Sequence, residues 1–219
     1  MSARTRIKIC GLTREADVAA AVAAGADALG FNLYAKSARH VSVERAAALA
    51  RALPPFVTPV YVLVNAALSD VAAATAALPN ALLQFHGDET AADCDAARRP
   101  YLRAVNMMPG LDLLDCMHRY PNAQALLLDA AVDGYGGGGK VFDWSLIPPD
   151  LPQDVRSRLV LSGGLNPANV IDGVLHARPF AVDVSSGVEV SKGIKDAGLM
   201  RRFCEAVREA DARLADRAT

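Results

Sequence analysis

Short apolar runs alternate with alanine-rich segments along the chain, and this alternation limits the possible folds more than any other feature. Eight runs have the length of a buried strand and are bounded by glycine, proline or polar residues, which predicts strands. A helix pattern follows each run, weakest after the sixth, around 144–147. The predicted strands are Arg6–Cys10, Ala28–Asn32, Thr58–Val64, Ala81–Phe85, Tyr101–Val105, Ala125–Asp129, Arg158–Leu161 and Phe180–Val184.

Strands that alternate with helices form a parallel sheet, because each helix returns the chain to the edge where it started. Eight such units in 219 residues fit a closed barrel, which typically needs about 250 residues. No linker, charge block or low-complexity segment divides the chain. We therefore predict an α/β protein, a single-domain (β/α)8 TIM barrel over residues 1–219, with Pro167 in the first turn of the seventh helix.

The composition excludes several classes of partner. The chain is 52% hydrophobic and 21% charged, with a net charge of −1. This balance gives no reason to expect nucleic acid or an anionic membrane surface as a partner. No uncharged apolar stretch reaches the roughly 18 residues of a membrane span. The segment before Lys8 is too short and polar for a signal peptide.

The cysteines favour a reducing compartment. Cys10, Cys94, Cys116 and Cys204 form no Cys-x-x-Cys pair and show no metal-ligand spacing. They are also too few and too scattered for a disulfide framework. Reduced thiols are typical of cytoplasmic proteins, so we expect a cytoplasmic enzyme. The sequence leaves open whether it is a monomer or a homodimer.

Glycine-rich loops follow the last three predicted strands. In a TIM barrel the active site lies at the carboxyl ends of the strands, and phosphate often binds after strands seven and eight. Backbone amides in such loops donate to phosphate oxygens, and glycines let a ligand approach closely. We therefore predict a phosphate-bearing small-molecule substrate. Its expected phosphate contacts are Gly138, Gly139, Gly163, Gly164, Ser185, Ser186 and Gly187.

Side chains at two strand ends have the chemistry of acid–base catalysis. Lys8 and Cys10 are two residues apart on strand one and face the same way. Because a nearby cation lowers the pKa of a thiol, Lys8 could keep Cys10 partly as thiolate; otherwise Cys10 is a small core residue. Asp129 ends strand six and could be a general acid if enclosure keeps it protonated. Its alternative is a structural ion pair with Lys140 or a barrel lysine.

Three further polar residues leave alternatives open. Arg39, in the loop after strand two, could hold a carboxylate by two parallel hydrogen bonds, or it is a solvated loop arginine. Asp183 points inward beside the last phosphate loop and could orient a substrate group or a cation. His86 ends strand four, and a lone histidine there is more often a packing residue than a ligand. We therefore leave His86 outside the predicted catalytic set.

Six motifs occur in order from residue 8 to residue 196, so they cover nearly the whole chain. They are Lys8-Ile-Cys-Gly11, Gln84-Phe-His-Gly87, Leu127-Leu-Asp-Ala130, Gly136–Lys140 with Phe142-Asp-Trp144, Leu161–Val170, and Asp183–Glu189 with Gly193–Asp196. Each alone is weak evidence, but together they resemble the phosphoribosylanthranilate isomerase family of tryptophan biosynthesis.

The resemblance implies an Amadori rearrangement of N-(5-phosphoribosyl)anthranilate to 1-(2-carboxyphenylamino)-1-deoxy-D-ribulose 5-phosphate. It implies that Cys10 is the general base, Asp129 the general acid and Arg39 the contact to the anthranilate carboxylate. Lys8 and Asp183 are expected among the substrate-binding residues. The reaction needs one acid, one base and two anion-binding sites, so we expect no metal and no other cofactor.

Two positions depart from the family pattern. Gly138 stands where the family usually has threonine, which puts a hydroxyl contact in doubt. Ala38 replaces the proline that usually precedes the arginine, a change that could loosen the loop carrying Arg39.

Other functions of the same fold remain alternatives. Indole-glycerol-phosphate synthase resembles this scaffold but relies on lysine and glutamate at several strand ends, whereas Glu189 is the only glutamate in the late loops here. A metal-dependent pentose-phosphate epimerase would need paired histidines and aspartates, and only His86 ends a strand. A non-catalytic phosphosugar-binding barrel would have no use for Cys10 and Asp129 together.

Overall fold

The barrel strands are buried on both faces, which is why they read as continuous apolar runs and not as alternating ones. In the computed structural model, which describes residues 4–131 and 141–217, eight parallel strands form a closed barrel in chain order. The predicted barrel is therefore confirmed. Its strands are β1 (Arg6–Cys10), β2 (Ala28–Asn32), β3 (Thr58–Leu63), β4 (Leu82–Phe85), β5 (Tyr101–Met107), β6 (Ala125–Ala130), β7 (Leu159–Leu161) and β8 (Ala181–Val184).

Helices cover the outside of the barrel. In the described residues they are α1 (Glu15–Ala24), α2 (Val43–Ala50), α3 (Leu68–Ala77), α4 (Ala91–Ala96), α5 (Leu113–Arg119), α6 (Gln153–Arg156), α7 (Val170–Ala177) and α8 (Ala197–Asp216). The weak helix expected around 144–147 is a single 3-10 turn, Trp144–Leu146. None of the helices in the described part is long and apolar enough to cross a membrane.

Two separate apolar cores follow from the strand alternation. The larger core lies between the outer faces of the strands and the helices, and it includes Leu83, Leu126 and Phe203. The smaller core fills the bottom of the barrel interior with Leu102, Ala104, Ala125, Leu127, Val160 and Ala181. Because successive strand residues point to opposite faces, Leu127 and Asp129 share the inner face. The polar side chains near the carboxyl ends of the strands therefore lie directly above this smaller apolar core.

The start of α7 corrects one expectation. Pro167 does not lie in the first turn of the helix, which begins at Val170. Asparagine side chains close a separate turn ahead of it: Asn169 accepts from the Asn166 amide at 2.8 Å, and Asn166 accepts from the Ala168 amide at 2.8 Å. These asparagine-capped turns hold the chain outside the helix for three residues after Asn166.

A small antiparallel hairpin, not foreseen from the sequence, lies between β8 and α8. It consists of β9 (Glu189–Ser191) and β10 (Ile194–Lys195). The Thr13 hydroxyl donates to the Gly193 carbonyl at 2.7 Å, and the Lys195 amide donates to Asp17 at 3.1 Å. The hairpin is thereby attached to the segment that follows β1.

The long helix α8 closes the barrel, and its amino-terminal cap should carry measurable stability. The Asp196 carboxylate accepts from the Leu199 amide at 2.7 Å. Losing such a cap costs typically about 1 kcal/mol. We expect Asp196→Ala to lower the free energy of unfolding in urea by about that amount. Glu205→Ala, which removes an exposed carboxylate from the same helix, is the control. Equal stabilities of the two variants would contradict the capping role.

Candidate active site

The carboxyl ends of the strands surround one polar pocket, and most of the predicted site residues line it. The pocket combines residues at or just after the ends of β1, β2, β3, β4, β6, β7 and β8 and from the loops behind them. The predicted residues in its wall are Cys10, Arg39, Asp129, Gly163, Gly164, Asp183, Ser185 and Ser186. Lys8 and Gly187 are not part of the wall. Gly138, Gly139 and Lys140 lie outside the described residues.

Asp129 is held by hydrogen bonds on both carboxyl oxygens. Its Oδ1 accepts from the Ala130 amide at 2.9 Å, and its Oδ2 is 3.1 Å from Nε2 of His86. On the other side of the ring, Nδ1 of His86 is 3.0 Å from Nε2 of Gln84. These contacts fix the carboxyl group at the pocket wall, and its partner in the described chain is a histidine and not a barrel lysine.

His86 therefore has a more specific position than the sequence indicated. It lines the pocket beside Asp129 instead of filling the core. Gln84 and His86 are two residues apart at the end of β4, so they share one face of the strand. The two-residue spacing could have indicated that Gln84 and His86 interact. Nothing in the sequence identified Asp129, 43 residues away, as the second partner of His86.

Cys10 lies at the end of β1, partly exposed to the pocket. Burial raises the pKa of its thiol above the ordinary value, and the positive charges of Lys8 and Lys195 offset this only in part. Lys8 therefore acts on the thiol in the expected direction, but burial opposes it more strongly. Room for the thiol comes from Gly30 on β2, where an added Cβ would lie 2.7 Å from Sγ of Cys10.

Lys8 is already paired inside the barrel. Its Nζ donates to Oδ1 of Asp183 at 2.8 Å, with both side chains at most 5% exposed. Burial alone would lower the pKa of Lys8, but the Asp183 and Cys10 groups outweigh it and raise that pKa. The Ser162 hydroxyl donates to Oδ2 of Asp183 at 3.4 Å. Asp183 thus lines the pocket, and Lys8, which does not, holds the Asp183 carboxylate by this ion pair.

Arg39 is buried and held in place, so it is not a solvated loop residue. Its Nε and Nη2 donate to the two carboxylate oxygens of Glu189, both at 2.8 Å. The guanidinium edge formed by Nε and Nη2 is therefore occupied by Glu189. The Arg39 amide also donates to the Ser37 hydroxyl at 3.1 Å. These bonds restrain the loop even with alanine at position 38.

Glu189 also pairs with a second cation, Lys195, which is not among the site residues predicted from the sequence. Nζ of Lys195 donates to Oε1 of Glu189 at 2.8 Å and to the Ser185 carbonyl at 3.0 Å. Burial alone would raise the pKa of Glu189, but the two cations hold it below its usual range. Burial lowers the pKa of Lys195, and its own pairing with Glu189 offsets this only partly.

The loops after β7 and β8 form a glycine-lined corner. Gly163 and Gly164 have φ of +77° and +64°, a conformation that favours glycine. Their amides donate to no other part of the chain that the structure describes. At Gly187, in the 3-10 turn Ser186–Val188, an added Cβ would overlap the Leu165 carbonyl oxygen. The two loops are therefore in direct contact, and backbone amides without a partner in the described chain suit an anion.

Comparison with known proteins points to one family. A family model described as N-(5'-phosphoribosyl)anthranilate (PRA) isomerase matches residues 7–206. An N-(5'-phosphoribosyl)anthranilate isomerase of Methylibium petroleiphilum is 70% identical over 212 residues, which are 97% of this chain and 98% of the relative.

Solved structures agree with this family in fold. The crystal structure of phosphoribosyl anthranilate isomerase from Thermotoga maritima has a TM-score of 0.84 at 40% identity, and the match covers 94% of this chain and 99% of that one. A phosphoribosyl anthranilate isomerase in complex with reduced 1-(o-carboxyphenylamino)-1-deoxyribulose 5-phosphate has a TM-score of 0.81 at 38% identity, with the same coverage.

The raised pKa of Cys10 predicts slow alkylation in the free protein at neutral pH. The thiolate is the nucleophile, and an ordinary thiol has a pKa near 8.5. We expect the rate of Cys10 modification by iodoacetamide, followed by peptide mass spectrometry, to rise with pH to a midpoint above that value. Glutathione in the same tubes is the reference thiol. A plateau already reached at neutral pH would show a preformed thiolate.

Proposed function

Since the chain belongs to the N-(5'-phosphoribosyl)anthranilate isomerase family, an isomerase family of tryptophan biosynthesis, we propose that it carries out an Amadori rearrangement. The substrate is N-(5-phosphoribosyl)anthranilate and the product is 1-(2-carboxyphenylamino)-1-deoxy-D-ribulose 5-phosphate. One observation carries the proposal most directly: Cys10 from β1 and Asp129 from β6 line the same pocket.

Asp129 acts as the general acid in this proposal. Protonation of the ribose ring oxygen opens the ring and leaves an iminium ion at C1′. The Ala130 amide and the His86 ring hold the two carboxyl oxygens of Asp129. Both contacts stay available once the proton has left, so they stabilise the carboxylate that ring opening produces.

Cys10 acts as the general base. Because burial raises the pKa of its thiol in the free protein, we place the release of the thiol proton to solvent at a later stage, when the thiolate is favoured. Ring opening places a positive iminium in the pocket, and an opposite charge nearby favours the ionised form of a group. The thiolate then removes the C2′ proton to give an enolamine. Proton gain at C1′ and loss of the C2′ hydroxyl proton complete the ketone.

The rest of the pocket binds the two ends of the substrate. We place the phosphate at the glycine-lined corner, where Gly163, Gly164 and Ser186 line the wall. The anthranilate carboxylate lies at Arg39, on the guanidinium edge that Glu189 does not use. Asp183 reaches the pocket and is assigned to a ribose hydroxyl, with Lys8 holding its orientation.

We further propose a cytoplasmic enzyme. All four cysteines, including those buried in the core, are free thiols, which fits a reducing compartment. A related isomerase of Thermotoga maritima is described as dimeric, and monomers were generated from it. For this chain we retain both states, monomer and homodimer.

The acid and base assignments predict a loss of turnover without a loss of binding. With freshly made phosphoribosylanthranilate and a fluorescence assay, we expect Cys10→Ala and Asp129→Asn each to lower kcat by at least about 10²–10⁴-fold. KM should change little, because neither side chain is assigned to an anionic group of the substrate. Cys116→Ala and Asp154→Asn remove the same groups away from the pocket and are the controls. A variant within a few-fold of wild-type kcat would remove its residue from the mechanism.

The phosphate assignment is tested at Gly164. Asp and Asn both tolerate a positive φ better than other side chains, so Gly164→Asp and Gly164→Asn differ mainly in charge. We expect the aspartate variant to have a KM at least about tenfold above that of the asparagine variant, a difference of about 1.4 kcal/mol. Equal KM values would place the phosphate elsewhere.

A further inference from the structure

The buried carboxylate of Glu189 lies beside the site but has no part in the acid–base chemistry. We propose that Glu189 is a positioning residue, which fixes the Arg39 guanidinium so that one of its edges faces the substrate carboxylate. Lys195 balances the charge of Glu189 in this arrangement. The inference rests on the proposed function, since it takes the ligand of Arg39 to be the anthranilate carboxylate.

Hydrogen bonds to both carboxylate oxygens hold Glu189 in place. Its Oε1 accepts from Nε of Arg39 and Nζ of Lys195, both at 2.8 Å, and from the Gly193 amide at 3.2 Å. Its Oε2 accepts from Nη2 of Arg39 at 2.8 Å. The three side chains are at most 9% exposed. Four donors thus hold one carboxylate, and a charge-assisted bidentate pair of this kind fixes the plane of the guanidinium.

That orientation leaves a second edge of Arg39 for a ligand. A guanidinium has five N–H donors in a rigid plane. Glu189 uses the edge formed by Nε and Nη2, and Nη1 donates to no other residue that the structure describes. Arg39 lines the pocket, so the edge formed by Nη1 and Nη2 is the one available to a bound carboxylate. A guanidinium that is already fixed loses little freedom when the ligand binds.

The charges of the cluster favour one added anion. Arg39 and Lys195 supply two positive charges and Glu189 supplies one negative charge, all in a buried setting. Two buried cations without Glu189 would repel each other and lack a counter-ion. With Glu189 present, one net positive charge remains, which a substrate carboxylate would neutralise.

The cluster is also connected to the catalytic base. Lys195 donates to the Ser185 carbonyl at 3.0 Å, and the Ser185 hydroxyl donates to the Cys10 carbonyl at 3.0 Å. At Gly11, the residue after Cys10, an added Cβ would collide with Cδ of Arg39. The carboxylate-binding edge and the base are therefore fixed relative to one another by the loops after β1, β2 and β8.

The test compares two ligands that differ only in the carboxylate. The first is reduced 1-(o-carboxyphenylamino)-1-deoxyribulose 5-phosphate, and the second is the same compound without the carboxyl group. Calorimetry gives the ratio of their Kd values, here called the carboxylate preference. The main variant is Glu189→Gln with Lys195→Met, because this pair keeps one net positive charge in the cluster and leaves no buried lysine unpaired. Arg39→Met is measured alongside.

We expect wild type to show a carboxylate preference of at least about tenfold, worth about 1.4 kcal/mol, and the double variant to lose most of it. Affinity for the ligand without the carboxylate should stay within about twofold. A double variant that keeps the preference, or loses affinity for both ligands equally, would overturn the positioning role. Unchanged preference in Arg39→Met, or none in wild type, would instead refute the carboxylate contact in the proposed function.

Glu189→Asp keeps the test decisive if the double variant does not fold. Aspartate retains the charge but is one methylene shorter, so it cannot keep both bonds to Arg39 and the bond to Lys195. We expect this variant to lose much of the carboxylate preference while its affinity for the ligand without the carboxylate is retained. A folded Glu189→Asp protein with the wild-type preference would overturn the inference.

Discussion

The buried ion pair between Lys8 and Asp183 is the interaction on which the rest of the site depends. The two residues face each other in register where β8 closes on β1, and each satisfies the other's charge. Such a pair is strongly destabilising to break, because an unpaired charge would be left inside the barrel. Burial raises the pKa of the Cys10 thiol in the free protein, and the Lys8 charge offsets this only in part. In the proposed mechanism, chemistry then begins at Asp129, whose proton would open the ring and create the charge that favours the thiolate.

How much of the fold could be predicted from the sequence depends on what holds each element. β1 and β2 have the predicted bounds, because each is a short run whose three central residues are buried. The hairpin of β9 and β10 escaped prediction, since it is held by tertiary bonds to Thr13 and Asp17 instead of by an apolar pattern. Pro167 was assigned to a helix because proline suits a first turn, but the asparagine side chains on either side of it close a turn of their own.

The candidate site also contains residues that the sequence could identify and residues that it could not. Cys10 and Asp129 could be identified because an inward side chain at the end of a parallel strand must reach the pocket of a TIM barrel. The hydrogen-bond and ion-pair partners of the site residues could not be identified in this way. Glu189 is 150 residues from Arg39, and no periodicity connects them, so the sequence could not show that Glu189 occupies one edge of the Arg39 guanidinium. The sequence likewise shows a lysine near Cys10 but not the burial and the Asp183 charge, which both raise the pKa of its thiol.

The account is tested most directly by a crystal structure of this chain with reduced 1-(o-carboxyphenylamino)-1-deoxyribulose 5-phosphate bound. It predicts the phosphate at the amides of Gly163 and Gly164 and the carboxylate on the Nη1 and Nη2 edge of Arg39. The carbon corresponding to C2′ should lie about 3–3.5 Å from Sγ of Cys10, the separation expected of reacting atoms, with the Asp129 carboxyl on the ribose oxygen. A ligand bound in the reverse direction, or with C2′ out of reach of Cys10, would contradict it.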